Sequence, residues 1–98
     1  MCEMSYIELS LGSSGTEYIA PDNGWFYIAK YMGTNAELQI SNNTGSIASR
    51  YLTTSDNRVA HLYVPATKDD IITVGYANTG KTSTFRFIYA HGTNIEKD

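Results

Sequence analysis

Gly75-Tyr76-Ala77-Asn78-Thr79-Gly80-Lys81-Thr82, read together with Ser83-Thr84-Phe85-Arg86-Phe87-Ile88-Tyr89-Ala90 behind it, decides the fold of this chain. The first eight letters, GYANTGKT, fit G-x-x-x-x-G-K-[ST], the pattern of a phosphate-binding loop. Such a loop joins a buried parallel strand to a helix, whose first N–H groups face the phosphates while the lysine adds a point charge. The next eight letters, STFRFIYA, are rich in β-branched and aromatic residues, which are weak helix formers, and they alternate with period two. A parallel sheet would also need crossover units of roughly 30 residues each, and no amphipathic helical pattern exists to make one. The spacing therefore predicts two antiparallel strands, Asp70–Ala77 and Ser83–Ala90, joined by a hairpin loop over Asn78-Thr79-Gly80-Lys81. No nucleotide site is expected at Gly75–Thr82.

The rest of the chain repeats that signature. Ser, Thr, Asn and Gly fill about a third of its 98 positions, and eight more are tyrosine. Thr and Tyr suit a pleated, half-buried surface, whereas Asn, Ser and Gly supply turns. Working outward from the motif, period-two runs are expected at Tyr6–Leu11, Thr16–Ala20, Trp25–Met32, Glu37–Ser41, Ser46–Thr53 and Arg58–Val64. Breaks fall at Gly12–Gly15, Pro21–Gly24, Gly33–Asn35, Asn42–Gly45, Ser55–Asn57 and Pro65–Asp69. Turn signals every 8–12 residues or so are the spacing of an antiparallel β-sandwich or jelly roll, here of about eight short strands. Residues 1–98 read as one domain, with a loose N-terminal segment over about 1–5 and a loose polar tail over about 91–98.

Composition excludes several classes of function. The net charge is −3 and the basic residues are scattered singly, so there is no electrostatic footprint for nucleic acid. No apolar run reaches the roughly 20 residues of a membrane-spanning helix, and no signal-peptide pattern opens the chain. Cys2 is the sole cysteine, so no internal disulfide is possible. Cys2, His61 and His91 lack metal-ligand spacing, and the Asp and Asn pairs at 22–23, 56–57 and 69–70 read as turn formers, so no metal and no cofactor are expected. No G-x-S-x-G elbow marks a nucleophile, and no carboxylate pair can be placed for sugar cleavage. A non-enzymatic protein is the expectation. Asn42-Asn43-Thr44 spells a glycosylation sequon and also a turn.

The aromatic residues exceed what a core this small requires. Trp25, Tyr27 and Tyr31 share one face of one strand, whose opposite face is also apolar, as in a strand covered on both sides. Tyr6, Tyr51, Tyr63 and Tyr76 add to the excess. Tyr and Trp join an apolar body to a polar handle, which suits both protein interfaces and sugar stacking.

Three segments resemble a known group. They are Tyr18-Ile19-Ala20-Pro21-x-x-Gly24-x-Phe26-x-Ile28, then Val64-Pro65-Ala66-x-x-Asp69-Asp70-x-Ile72-x-Val74, then Phe85-Arg86-Phe87-Ile88-Tyr89-Ala90. Together they resemble the trimeric jelly-roll heads of bacteriophage fibres and spikes, and more remotely the globular heads of the first complement component and the tumour necrosis factor-like group. The chain departs from that pattern at Asp69, where such heads usually have glycine. The resemblance implies a homotrimer on a virion, made in a bacterial cytoplasm, that contacts other virion proteins and recognises a host-surface glycan or protein. It places the aromatic closing strand near the threefold axis, so Phe85, Phe87 and Tyr89 join Trp25, Tyr27 and Tyr31 as expected binding or trimer-interface residues. The alternatives are a purely structural capsid or tail decoration protein and an extracellular, adhesin-type bacterial head.

Overall fold

The structure is a computed structural model that describes residues 5–53 and 58–90. It is all-β, with a single antiparallel sheet of six strands. These are β1 (Tyr6–Glu8), β2 (Glu17–Ile19), β3 (Gly24–Asn42), β4 (Ile47–Thr53), β5 (Arg58–Ala66) and β6 (Ile71–Tyr89). Residues 1–4, the tail 91–98 with His91, and the turn expected over Ser55–Asn57 lie outside the described residues.

Six strands replace the expected eight because two pairs fuse. Trp25–Met32 and Glu37–Ser41 are one 19-residue strand, β3, and the two strands flanking GYANTGKT are another, β6. The motif is therefore not a hairpin loop. It lies inside β6, which pairs antiparallel with β3 from Gly24↔Tyr89 to Asn42↔Ile72. Residues after Lys81 are extended as expected, but they pair with β3 and β1, not with Ile71–Ala77.

The signals taken for turns mark a bend in the ribbon. Register shifts fall between Ala29 and Glu37 of β3. Asn35 and Asn78 adopt φ of 52° and 58°, left-handed values that asparagine tolerates better than most residues. The Asn78 amide donates to the Asn35 carbonyl at 3.0 Å. At Gly33 a Cβ would lie 2.6 Å from the Asn78 carbonyl oxygen, so only glycine permits this approach. A straight 19-residue strand would span about 60 Å. Here its two ends meet: Gly24 pairs with Ala66, and the neighbouring Pro65 carbonyl accepts from Asn42 Nδ2 at 3.0 Å.

The bend divides the sheet into two halves. One holds β5, the start of β3, the end of β6 and β1; the other holds β4, the end of β3, the start of β6 and β2. Phe26, Ile28, Leu38, Ile40, Leu62, Val64, Ile72, Val74, Phe85 and Phe87 belong to one buried cluster that draws on both halves. Tyr18 of one half lies edge-on to Phe85 of the other, with ring centroids 5.1 Å apart.

Two polar side chains are buried in this arrangement. Lys30 points inward at the bend, where Nζ donates to the Gly80 carbonyl and lies 4.6 Å from the Tyr76 ring centroid. It thereby supplies a donor where the ladder is irregular. Asn42, the sequon residue, is buried. Its amide donates to Pro65 and to Asp70 Oδ2 (2.8 Å) and accepts from the Gly45 N–H (2.8 Å). An Asn42 amide committed in this way leaves no room for a glycan on the folded chain.

Burial pushes the Lys30 ammonium below its ordinary pKa. Unfolding therefore takes up a proton between the lowered value and about 10.4, and stability rises with pH across that window. Chemical denaturation of wild type and Lys30→Met should show their difference moving in favour of wild type from pH 8 to 10.5. A flat difference would mean that the ammonium is well solvated.

Hydrogen bonds from the Asn42 amide, first, and the Thr67 N–H hold the Asp70 carboxyl below its usual range. Its contribution is complete above about pH 4 and is lost as pH falls through the lowered value. Asp70→Asn should flatten the acid limb of the stability profile. Asn42→Ala, which strands several partners, should cost about 1–3 kcal/mol at pH 7 in denaturant titrations.

Candidate functional site

The two halves of the sheet present different outer faces. On the half holding β4, the outward positions mix polar pairs with exposed aliphatic side chains, Ile19 (65% exposed), Leu52 (60%) and Ile71 (37%). Arg50 bridges Glu37 at 2.8 Å, and Asn43 donates to Thr73 at 2.6 Å. On the other half, alternation along four strands turns aromatic side chains outward, and the register sets them in rows. Tyr6, Ile88, Trp25 and Pro65 form one row. Glu8, Arg86, Tyr27 and Tyr63 form the next. Ala29 with His61, then Tyr31 with Val59, continue the face along β3 and β5.

Contacts within the face are specific. The Tyr27 ring stacks on Tyr63 with centroids 4.6 Å apart and an interplanar angle of 28°. It lies parallel to the His61 ring at 6.0 Å, and its hydroxyl is 2.7 Å from His61 Nδ1. Burial first, then the neighbouring Tyr63, push the Tyr27 hydroxyl above its ordinary pKa, while Arg86 pulls the other way. The Arg86 guanidinium sits 4.1 Å from the Tyr6 ring centroid and reaches Glu8 at 2.9 Å. Its Nε is buried without a hydrogen-bond partner among the described residues.

Large side chains stay open to solvent here: Tyr6 is 49%, Trp25 38%, Tyr31 44% and Tyr63 54% exposed. One side of the Trp25–Met32 segment is thus uncovered in the single chain, where the sequence led us to expect cover on both. Of the six expected interface residues, Trp25, Tyr27 and Tyr31 do share this face. Phe85 and Phe87 do not. They occupy the inward positions of β6 and are buried, with Phe26 5.0 Å from Phe87 between ring centroids, so they are core residues and cannot touch a partner. Tyr89 is half-buried and packs edge-on against Phe87 at 5.2 Å.

Sequence reading missed Glu8, Arg86, His61 and Pro65 as members of the face. Arg86 carried a signal, since it alternates with Phe85 and Phe87 in FRF and so had to point the other way. No local pattern showed that β1 and β5 would be laid beside it.

Elsewhere, a cavity of about 660 Å³ at the bend is lined by Asn35, Ala36, Glu37, Leu52, Thr53, Ala77 and Asn78. Its one carboxylate, Glu37, is engaged by Arg50. Among the described residues, no three His, Cys, Asp or Glu side chains gather in a group that could hold a metal. The chain matches no protein-family model, no curated protein and no solved structure.

The Glu8–Arg86 pair lies at a partly exposed surface, with side chains 60% and 29% exposed. Exposed ion pairs contribute about 0.2–1 kcal/mol and are screened by salt. Glu8→Gln should therefore cost no more than about 1 kcal/mol in urea titrations at low salt, and nearly nothing in 1 M NaCl. A loss several times larger would show that the pair is desolvated.

Proposed function

We propose that this chain is the head module of a bacteriophage fibre or spike: a non-enzymatic homotrimer that presents a binding surface to a glycan or protein of the host cell. The observation that carries the reading is the outer face built on Trp25, Tyr27, Tyr31, Tyr63 and Tyr6, an aromatic surface that the chain's own core does not use. Interfaces are enriched in Tyr, Trp and Arg at their centres, and this face holds all three.

The fold supports the same reading. A long antiparallel ribbon that bends until its ends meet around one core fits a jelly-roll sandwich. Asp69, at the position where the resembling heads have glycine, takes φ of 75°, a conformation glycine adopts without strain. The cavity at the bend offers a single, ion-paired carboxylate, which favours a binding role over catalysis.

Light scattering after size exclusion tests the assembly, with a mass three times the 10.8 kDa of the chain expected at micromolar concentration. Fluorescently labelled protein tests recognition, with saturable binding expected on intact host-type bacteria. A trimer that decorates purified virions but binds no cell would point to structural decoration. A monomer that binds neither would end this reading.

A further inference from the structure

We propose that Tyr27 and Tyr63 form a site of oxidative modification, at which a one-electron oxidant couples the two phenols into a dityrosine bond between β3 and β5 while His61 takes the Tyr27 proton.

Three features of the β3–β5 ladder coincide here. Tyr27 lies directly opposite Tyr63, and Ala29 lies opposite His61, so both tyrosines and the histidine leave the sheet on one side. The Tyr27 and Tyr63 rings stack with centroids 4.6 Å apart. The Tyr27 hydroxyl is 2.7 Å from His61 Nδ1, within the reach a base needs for the proton it receives. With the imidazole proton on Nε2, Nδ1 is an acceptor and the phenol donates to it.

Loss of an electron makes a phenol strongly acidic, so at neutral pH its proton has to leave as well. Burial holds the Tyr27 hydroxyl above its ordinary pKa, which closes the route through a phenolate formed beforehand. His61 opens the other route: the proton crosses to Nδ1 as the electron departs, and no radical cation has to form. The other titratable or charged groups facing Tyr27 are Tyr63 on β5, Arg86 on β6 and, beyond it, Glu8 on β1. Arg86 has no site to accept a proton, and Glu8 is engaged by Arg86 at 2.9 Å, so His61 is the base. Tyr6 and Tyr31 are 49% and 44% exposed on the same outer face, yet His61, the sole described histidine, serves Tyr27. Tyr63, 54% exposed, gives an oxidant access to the stack.

In the coupling, each phenol gives one electron to one equivalent of the oxidant, a high-valent metal complex that is reduced by one electron. The Tyr27 proton passes to His61 and then to solvent, and the Tyr63 proton goes to solvent directly. The two phenoxyl radicals join ortho carbon to ortho carbon, and the ring hydrogens at the new bond move to the oxygens and restore both phenols. The bond closes a loop through β4, so it restricts the unfolded chain as a disulfide does.

The test treats dilute wild-type protein with hexachloroiridate(IV), a one-electron oxidant. Products are followed by dityrosine fluorescence and mapped by mass spectrometry of the digested single-chain band. A Tyr27–Tyr63 crosslink should be the principal single-chain product, and the crosslinked chain should unfold at a higher temperature. Tyr63→Phe should abolish that product. His61→Phe, which keeps a ring on β5 but offers no base, should slow its formation by about tenfold or more while oxidation of Tyr31 keeps its rate. Circular dichroism verifies that both variants are folded. Wild-type crosslinks spread over Tyr6, Tyr31 and Tyr63 according to their exposure would overturn the site, whatever the variants do. A folded His61→Phe protein that forms the Tyr27–Tyr63 bond at the wild-type rate would overturn the role of His61.

Discussion

The pairing of β3 with β6 is the constraint on which the rest of the molecule depends. Each of the other four strands hydrogen-bonds to one of these two: β4 and β5 to β3, β1 and β2 to β6. Because both central strands are 19 residues long, a bend in the ribbon carries their flanking strands with it and folds the inner faces toward each other. The bend in turn needs residues that accept unusual backbone angles or crowding. Gly33, Asn35 and Asn78 provide these, and Lys30 donates to the Gly80 carbonyl inside. At the other end, Asn42 and Asp70 tie the strand ends to Pro65 and Thr67. Polar side chains thus hold the ribbon at its bend and at its ends, while apolar burial acts between those points.

Much of this was legible from residue order, and the parts that were not have a physical reason. Alternation correctly separates Phe26 and Ile28 from Trp25 and Tyr27, and Leu38 and Ile40 from Glu37 and Gln39, because side chains on a strand must point to opposite faces. The failure lies at Gly33-Thr34-Asn35 and Asn78-Thr79-Gly80. Asn and Gly signal a left-handed residue or a close backbone approach, and a hairpin and a bulge in a continuous strand need the same thing. Which of the two forms depends on where the downstream residues find a partner. For Ser83–Tyr89 that partner is β3, some sixty residues upstream, and no window of local sequence contains it. The placement of Phe85 and Phe87 failed for a related reason. A closing strand rich in aromatics looks like an interface until its neighbour fixes which of its two faces turns inward.

The same geometry explains why a phosphate-loop spelling sits where it does. A phosphate loop presents converging N–H groups at the start of a helix. In this chain the residues after the motif continue as strand, and the Gly80 carbonyl turns inward to the Lys30 ammonium. Two glycines and a lysine at this spacing serve a different mechanical need. Gly80 lies close against Tyr31 at the bend, its Cβ position 3.1 Å from that of Tyr31, while Lys81 stays exposed at the surface. The spelling depends only on residue types and intervals, whereas anion binding depends on the direction in which the peptide groups point.

That leaves the division between the two outer faces, which follows from the size of the chain. A domain of about 100 residues buries roughly 60–65% of its unfolded surface. The inner faces already claim the aliphatic residues together with Phe26, Phe85 and Phe87. Further aromatic residues must then lie outside, and they could have been scattered, as exposed apolar groups usually are. Instead Tyr6, Trp25, Tyr31 and Tyr63 share one half of the sheet, while the opposite half sets Glu37, Gln39, Ser41, Arg50 and Thr73 beside the exposed aliphatic residues Ile19, Leu52 and Ile71. Exposed apolar residues concentrated on one face lower solubility unless something covers them. A chain that sets four of its eight tyrosines and its one tryptophan on one outer face exposes apolar surface that a covering partner would stabilise. The same alternation that fills the core thus leaves one outer half aromatic and the other a mixture of polar pairs and aliphatic side chains.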